Sequence, residues 1–226
     1  MKNVNYQTIY DQLRNALGEP AQLHQQSPLD WCDSALEVLL ATILTQATND
    51  KNALKAWRQF KECYNPPERA LEVPLAEVVE VIRPAGLAGQ KAATIQNVLR
   101  EVRAKLGESS LESLRKTPVA AWDFLTQLPG VGPKTAACVM AFGLGHAAFP
   151  VDTHIHRVAG RLGWVSKSLE PAKMQQSLTV AIPVPLHAGL HILLLNLGRQ
   201  FCRPNQPKCP ACPLRLDCAE AKSRLC

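Results

Sequence analysis

The sequence predicts an all-α protein. Apolar residues recur at three- and four-residue spacing along most of the chain. Ser, Thr, Asp and Pro stand where such stretches begin, and no alternating strand pattern of convincing length is present. With 226 residues, 46% of them hydrophobic, the chain is globular and long enough for one large domain or two small ones.

The elements follow in order. MKNVNYQTIYDQLRNAL reads as an amphipathic helix, with Val4, Ile9, Leu13 and Leu17 at roughly helical intervals. It lacks the apolar core of a secretion signal, so a soluble, intracellular protein is expected. Residues 34–47 are apolar on nearly all sides behind Ser34 as N-cap, the pattern of a buried central helix. Helices are expected at 51–60, 75–82 and 90–106, the last with Ile95, Val98, Leu99 and Val102 on one face. The stretch 118–127 opens with proline behind a Thr117 cap. Further helices are expected at 134–142, 153–162, 171–180 and 186–200. Pro66-Pro67 and 182–185 mark loops. The most apolar run, 192–195, is far too short to cross a bilayer.

Net charge is +6, from 25 basic and 19 acidic residues. That balance tilts only weakly toward a polyanionic partner. No basic run dominates, so any DNA footprint must be assembled by folding. Of eight cysteines, Cys32, Cys63, Cys138 and Cys226 are scattered, whereas Cys202, Cys209, Cys212 and Cys218 fall close together. Without an export signal, such clustering points to metal before disulfides. Four thiolates suffice for one [4Fe–4S] cluster or one zinc ion, and spacing alone does not choose between them. The segment after Phe201 is too poor in apolar residues to make its own core, which suits organisation by a metal. Arg203, Lys208 and Arg215 among these cysteines give the loop a basic face for DNA or are simply solvated.

The most informative segment is 128–163. Leu128-Pro129-Gly130-Val131-Gly132 lies between two helical patterns. Two glycines around an aliphatic residue allow a tight turn with backbone N–H groups facing outward, and Val131 can plug the space between the helices. The resulting helix–hairpin–helix can grip a DNA phosphate with its amides and positive helix end. A compact turn between core helices is the plainer reading. Lys134 shifts the balance, because a lysine in the first turn of a helix opposes the dipole but makes a good nucleophile. Asp152 is an N-cap for the helix at 153–162, a role compatible with catalysis.

LPGVGPKTAACV followed by FPVDTHIHRVAGRLG closely resembles the endonuclease III family of helix-hairpin-helix DNA glycosylases and AP lyases. Residues 86–92 and 44–48 extend the resemblance, which covers about 34–218. It implies that Lys134 is the lyase nucleophile, Asp152 the essential carboxylate, and Gln46 a probe filling the gap left by an extruded nucleotide. It implies DNA contacts at Leu128, Gly130, Val131 and Gly132. It also implies a [4Fe–4S] cluster held by Cys202, Cys209, Cys212 and Cys218, zinc being the alternative. The expected architecture is two helical lobes: 28–145 with the hairpin, and 1–27 plus 146–226 with the cysteine loop at 202–218.

The expected activity is removal of damaged bases, oxidised pyrimidines first, with nicking of abasic sites in double-stranded DNA by a monomer. The expected location is with DNA inside the cell, in cytoplasm or nucleoid if bacterial. Mismatched thymine or modified cytosine are alternative substrates, since AAFPVDT and RLGWV also resemble plant demethylating glycosylases. A non-catalytic DNA-binding module is the alternative of another class. Two positions depart from the family. Pro133 stands where a basic residue is common, and Asn49 where an aspartate often follows Gln-Ala-Thr. Cys138, among Ala136, Ala137 and Val139, reads as a packed core thiol, and Trp31, Trp57, Trp122 and Trp164 as core or groove-lining residues. His154 and His156 lack metal-ligand partners at a suitable spacing, and His187 with His191 lacks a third ligand.

Overall fold

A computed structural model describes residues 4–25 and 27–225; Cys226 and the first three residues of the N-terminal helical stretch lie outside them. Helices, turns and irregular connections make up the described residues, and none is in a strand. The α-helices are α1 Tyr6–Leu17, α2 Pro20–His24, α3 Ala35–Thr45, α4 Asp50–Cys63, α5 Leu75–Ile82 and α6 Ala88–Leu106. They continue as α7 Pro118–Gln127, α8 Pro133–Cys138, α9 Thr153–Leu162, α10 Pro171–Ala181, α11 His187–Gln200 and α12 Ala219–Leu225. No single helix among the described residues is long and apolar enough to cross a membrane.

The chain divides into two compact units, Gln25–His146 and Met1–His24 with Ala147–Cys226. The first carries the hairpin and the second the clustered cysteines.

In the hairpin unit α3 is the central buried helix. Leu36, Leu39, Leu40, Ile43 and Leu44 are all buried, as are Trp57 and Phe60 of α4, Ile82 of α5, and Ile95 and Leu99 of α6. Ser34 caps α3, its Oγ accepting from the Glu37 amide at 3.2 Å. The buried Glu37 carboxylate accepts from the Asp33 amide at 2.8 Å and from Lys61 at 2.9 Å, so it is hydrogen-bonded and charge-compensated. Asn49 caps α4 through a 2.9 Å bond from the Asn52 amide, which an aspartate would make equally well.

Three sequence expectations are corrected in this unit. The helix expected over 34–47 ends at Thr45, because Gln46 is extended and Ala47 left-handed. Thr117 does not cap α7: its side chain makes no cap bond and turns back to the Leu114 carbonyl, leaving Pro118 to start the helix. The expected helix at 134–142 is α-helical only to Cys138 and continues as a wider π turn over Val139–Gly143. The Arg115 guanidinium donates to the carbonyls of Gly143 and Leu144, both at 3.1 Å, where that turn ends. Cys138 is buried as expected, whereas Trp31 is 46% exposed and lies under the Arg58 guanidinium.

The second unit packs α1, α9, α10 and α11 around Leu13, Phe149, Ile155, Met174, Leu178, Leu190 and Leu193. Its connection at 149–151 is neither helix nor strand, and buried or half-buried side chains hold its backbone. The Phe149 amide donates to Thr179 Oγ1 at 3.0 Å, and the Val151 amide to Gln175 Oε1 at 3.3 Å. His191 Nδ1 donates to the Pro150 carbonyl at 2.9 Å, and His187 Nε2 to the Ile182 carbonyl at 2.9 Å. The i, i+4 histidine pair therefore braces backbone. One consequence is measurable. His191→Leu leaves the buried Pro150 carbonyl without this donor and should cost about 1–3 kcal/mol in urea unfolding. His191→Asn, whose amide nitrogen overlays Nδ1, should recover part of that loss. Equal losses in both variants would assign the effect to ring packing.

Candidate active site and cysteine loop

The hairpin leaves α7 at Gln127 and enters α8 at Pro133. Its turn closes with the Val131 amide on the Leu128 carbonyl at 3.2 Å. Both side chains are buried, so the hairpin presents main chain, with Pro129, Gly130 and Gly132 exposed. The two glycines differ. Gly130 has φ +72°, and a Cβ there would lie 2.7 Å from Thr94 Cγ2, so conformation and space both demand glycine. Gly132 has φ −90° and ψ 177°, with nothing within 4 Å of a built Cβ. The fold does not require glycine there. Without a side-chain cap, Gly132 leaves the approach to the α8 amides open.

Lys134 is the second residue of α8 and half-buried. Gln46, the residue after α3, is half-buried and reaches across to the hairpin. Its Nε2 donates to the Gly130 carbonyl at 3.2 Å and to Thr135 Oγ1 at 3.4 Å, on either side of Lys134 in sequence. The structure thus brings Gln46, the Gly130 turn and the start of α8 together.

Two residues at this end of the unit escaped the sequence reading. Leu87 is 60% exposed with φ +50°, an apolar side chain held outward on a left-handed backbone. Lys91 is buried and donates to the carbonyls of Leu44 and Ala85, at 2.9 and 2.8 Å. Signals for both were present. Gly86-Leu87-Ala88-Gly89 repeats the glycine-flanked aliphatic pattern of the hairpin, and Lys91 precedes Ile95 by one turn on the apolar face of α6.

Asp152 belongs to the other unit. It caps α9, with Oδ1 accepting from the Ile155 amide at 2.7 Å and its carbonyl from the His156 amide at 2.8 Å. A carboxylate held this way has a fixed rotamer.

The opposite end of α9 organises the cysteine loop. Arg157 donates to the carbonyls of Cys202 at 2.7 Å and Gly198 at 2.9 Å. Arg161 donates to the carbonyls of Arg203 and Pro204, at 2.7 and 2.9 Å, and lies 3.6 Å from Cys202 Sγ. Cys218 Sγ donates to the Arg161 carbonyl at 3.3 Å. Cys202, Cys209 and Cys212 are half-buried against the core and Cys218 is buried. Burial pushes the Cys212 thiol up to about 11, and Cys202, Cys218 and Cys209 push it the same way. Cys218 is likewise raised, first by burial and then by Cys202 and Cys209. Cys202 and Cys209 thus lie near enough to both Cys212 and Cys218 to oppose the ionisation of those two thiols. Among the described residues, no three His, Cys, Asp or Glu side chains are already arranged around a common ion position. Arg203, Lys208 and Arg215 are exposed around the loop.

Residues 40–183 match the family described as HhH-GPD superfamily base excision DNA repair protein. Endonuclease III of Thermotoga maritima is 34% identical, over 80% of this chain and 81% of that protein. DNA glycosylase/AP lyase ROS1 of Arabidopsis thaliana is 33% identical over 63% of this chain, which spans only 12% of ROS1. The structure of a trapped endonuclease III–DNA covalent intermediate, an estranged-adenine complex, aligns with TM-score 0.81 and 29% identity. That alignment covers 99% of this chain and 100% of the other. This chain belongs to the endonuclease III family within the HhH-GPD superfamily of base excision DNA repair proteins.

Proposed function

We propose that the chain is a base-excision repair DNA glycosylase with AP lyase activity, acting inside the cell on double-stranded DNA that carries damaged bases or abasic sites. The observation that carries this reading is Lys134 at the start of the helix leaving a glycine hairpin, in a chain similar to a protein trapped covalently on DNA.

The chemistry assigns a role to each residue. The main chain of Leu128 to Gly132 and the open start of α8 hold a backbone phosphate. The target nucleotide leaves the stack at a cost that is smaller for a damaged or mispaired base. Gln46 releases Gly130 and Thr135 and fills the vacated space. Lys134 Nζ attacks C1′ of the deoxyribose, the bond to the base breaks, and the base departs with the bonding electrons. Asp152 accepts the lysine proton or stabilises positive charge on the sugar. Ring opening gives a Schiff base; loss of a C2′ proton then expels the 3′ phosphate and nicks the strand. Oxidised pyrimidine is the first lesion to test. Mismatched thymine and a modified cytosine are the next to test.

Cys202, Cys209, Cys212 and Cys218 suit a [4Fe–4S] cluster. They supply four thiols within one short loop, the ligand type and number that such a cluster takes, beside an arginine that faces one sulfur. When bound, the cluster supplies the cross-links that fold the loop, and Arg203, Lys208 and Arg215 then offer their charge to DNA phosphates.

Borohydride should trap the protein on abasic DNA, and Lys134→Ala should abolish the adduct while leaving DNA binding largely intact. Crosslinking of the Ala variant at the wild-type rate would place the nucleophile elsewhere. Asp152→Asn should lower activity strongly with little loss of stability, because Asn caps helices as well as Asp does. The purified protein should be brown and contain iron, and stoichiometric zinc without iron would overturn the cluster assignment. Cys212→Ala should cost ordering of the loop and, with it, DNA affinity. The two hairpin glycines should separate stability from binding. Gly130→Ala is expected to cost about 1–3 kcal/mol in thermal unfolding, from the positive φ and the Thr94 contact. Gly132→Ala should unfold within about 1 kcal/mol of wild type yet bind abasic duplex more weakly, since its methyl group stands in the phosphate approach.

A further inference from the structure

Lys91 is a buried cation that the proposed chemistry does not use. It is 4% exposed, and its Nζ donates to two main-chain carbonyls, Leu44 at 2.9 Å and Ala85 at 2.8 Å. No carboxylate pairs with it among the described residues, and burial lowers its pKa. Removing an ammonium group from water without a counter-ion is costly, and an apolar side chain of similar volume would often serve stability as well. Lys91 therefore calls for a reason beyond packing.

Its partners supply that reason. Leu44 lies in the last turn of α3, where carbonyls lack intrahelical partners, two residues before Gln46. Ala85 ends the short 3₁₀ turn two residues before the exposed, left-handed Leu87. One ammonium group thus holds the roots of two projecting residues from separate loops. Three residues on, Thr94 of α6 lies against Gly130, and Gln46 bonds the Gly130 carbonyl. The start of α6 sets the register of the α3 exit, the Leu87 turn and the hairpin together. The charge also sits at the negative end of the α3 dipole, which partly offsets its burial.

We infer that Lys91 is a positioning residue for duplex opening, fixing the α3 exit and the Leu87 turn relative to the hairpin so that Gln46 enters the base stack in register. This rests on the reading of Gln46 as a gap-filling side chain. Without both hydrogen bonds the two loops lose their common anchor, and base extrusion suffers while the chemistry at Lys134 does not.

The test uses the full-length, iron-loaded protein with Lys91→Met, Lys91→Arg and Gln46→Ala in parallel. Base release is measured on duplex carrying one oxidised pyrimidine, and nicking on duplex with a pre-formed abasic site, which is already unpaired. Lys91→Met should lower base release by about 10- to 100-fold, the scale of a misplaced reacting group, with nicking reduced several-fold at most. Its thermal midpoint should stay within a few degrees of wild type. Lys91→Arg, which keeps the donors, should recover part of the base release. Equal losses of release and nicking in Lys91→Met, or unchanged release, would overturn the proposal. Should Lys91→Met fail to fold, the release-to-nicking ratio of Lys91→Gln, whose shorter side chain cannot hold both carbonyls, decides: a ratio below wild type supports the proposal and an unchanged ratio overturns it. Gln46→Ala separates the two readings. If it lowers the ratio while Lys91→Met does not, only the Lys91 proposal fails. If Gln46→Ala leaves the ratio unchanged, the gap-filling reading falls and this inference with it.

Discussion

Every helix end in this protein leaves backbone groups without intrahelical partners, and the described structure depends on how they are satisfied. An all-α chain has no sheet ladder to absorb its irregular segments, so side chains take on that work. Lys91 serves Leu44 and Ala85, and Arg115 serves Gly143 and Leu144. Arg157 and Arg161 serve the turn after α11, while His191, Gln175 and Thr179 serve 149–151. These are the segments that carry or precede the candidate site residues. The candidate site residues sit at helix ends, where the backbone is open to partners, and long polar side chains hold those ends in place.

The same bonds change how the net charge should be read. A surplus of +6 suggests a basic surface, yet Lys61, Lys91, Arg115, Arg157 and Arg161 direct their charge to carboxylates or carbonyls inside their own units. Those five side chains are therefore committed within the fold and are not simply part of the positive surface that the composition suggests. In the function proposed here, the hairpin's main-chain amides and the exposed Arg203, Lys208 and Arg215 of the cysteine loop are the groups offered to a DNA backbone.

Most of the helices were legible because local signals agreed with packing. Ser34 and Asp152 cap the helices their positions predicted, and α5, α7 and α9 begin and end at the expected residues. Thr117 misled because Pro118 alone is enough to start a helix, which frees the hydroxyl to bond backward. The π turn at Val139–Gly143 was illegible, since nothing in an apolar run distinguishes a five-residue hydrogen-bond step from a four-residue one. Of the candidate site, the residue types and their order could be read, together with Asp152 as a cap. The distinction between Gly130 and Gly132 could not, because it depends on Thr94, far away in sequence.

The Gln46 amide shows why proximity had to come from the fold. On sequence alone it is a polar residue ending an apolar helix. In the structure it bonds the carbonyl of a hairpin glycine and the hydroxyl beside Lys134. Both bonds are neutral, and one is at 3.4 Å, so releasing them costs little when other polar partners are offered. The Leu44 carbonyl two residues upstream, by contrast, is held by the buried Lys91 ammonium group, which gains nothing by giving up a charge-assisted bond inside the protein. A tightly held root and a weakly held tip are what a side chain needs if it is to leave the protein surface for a gap in a duplex and still arrive in the same position each time.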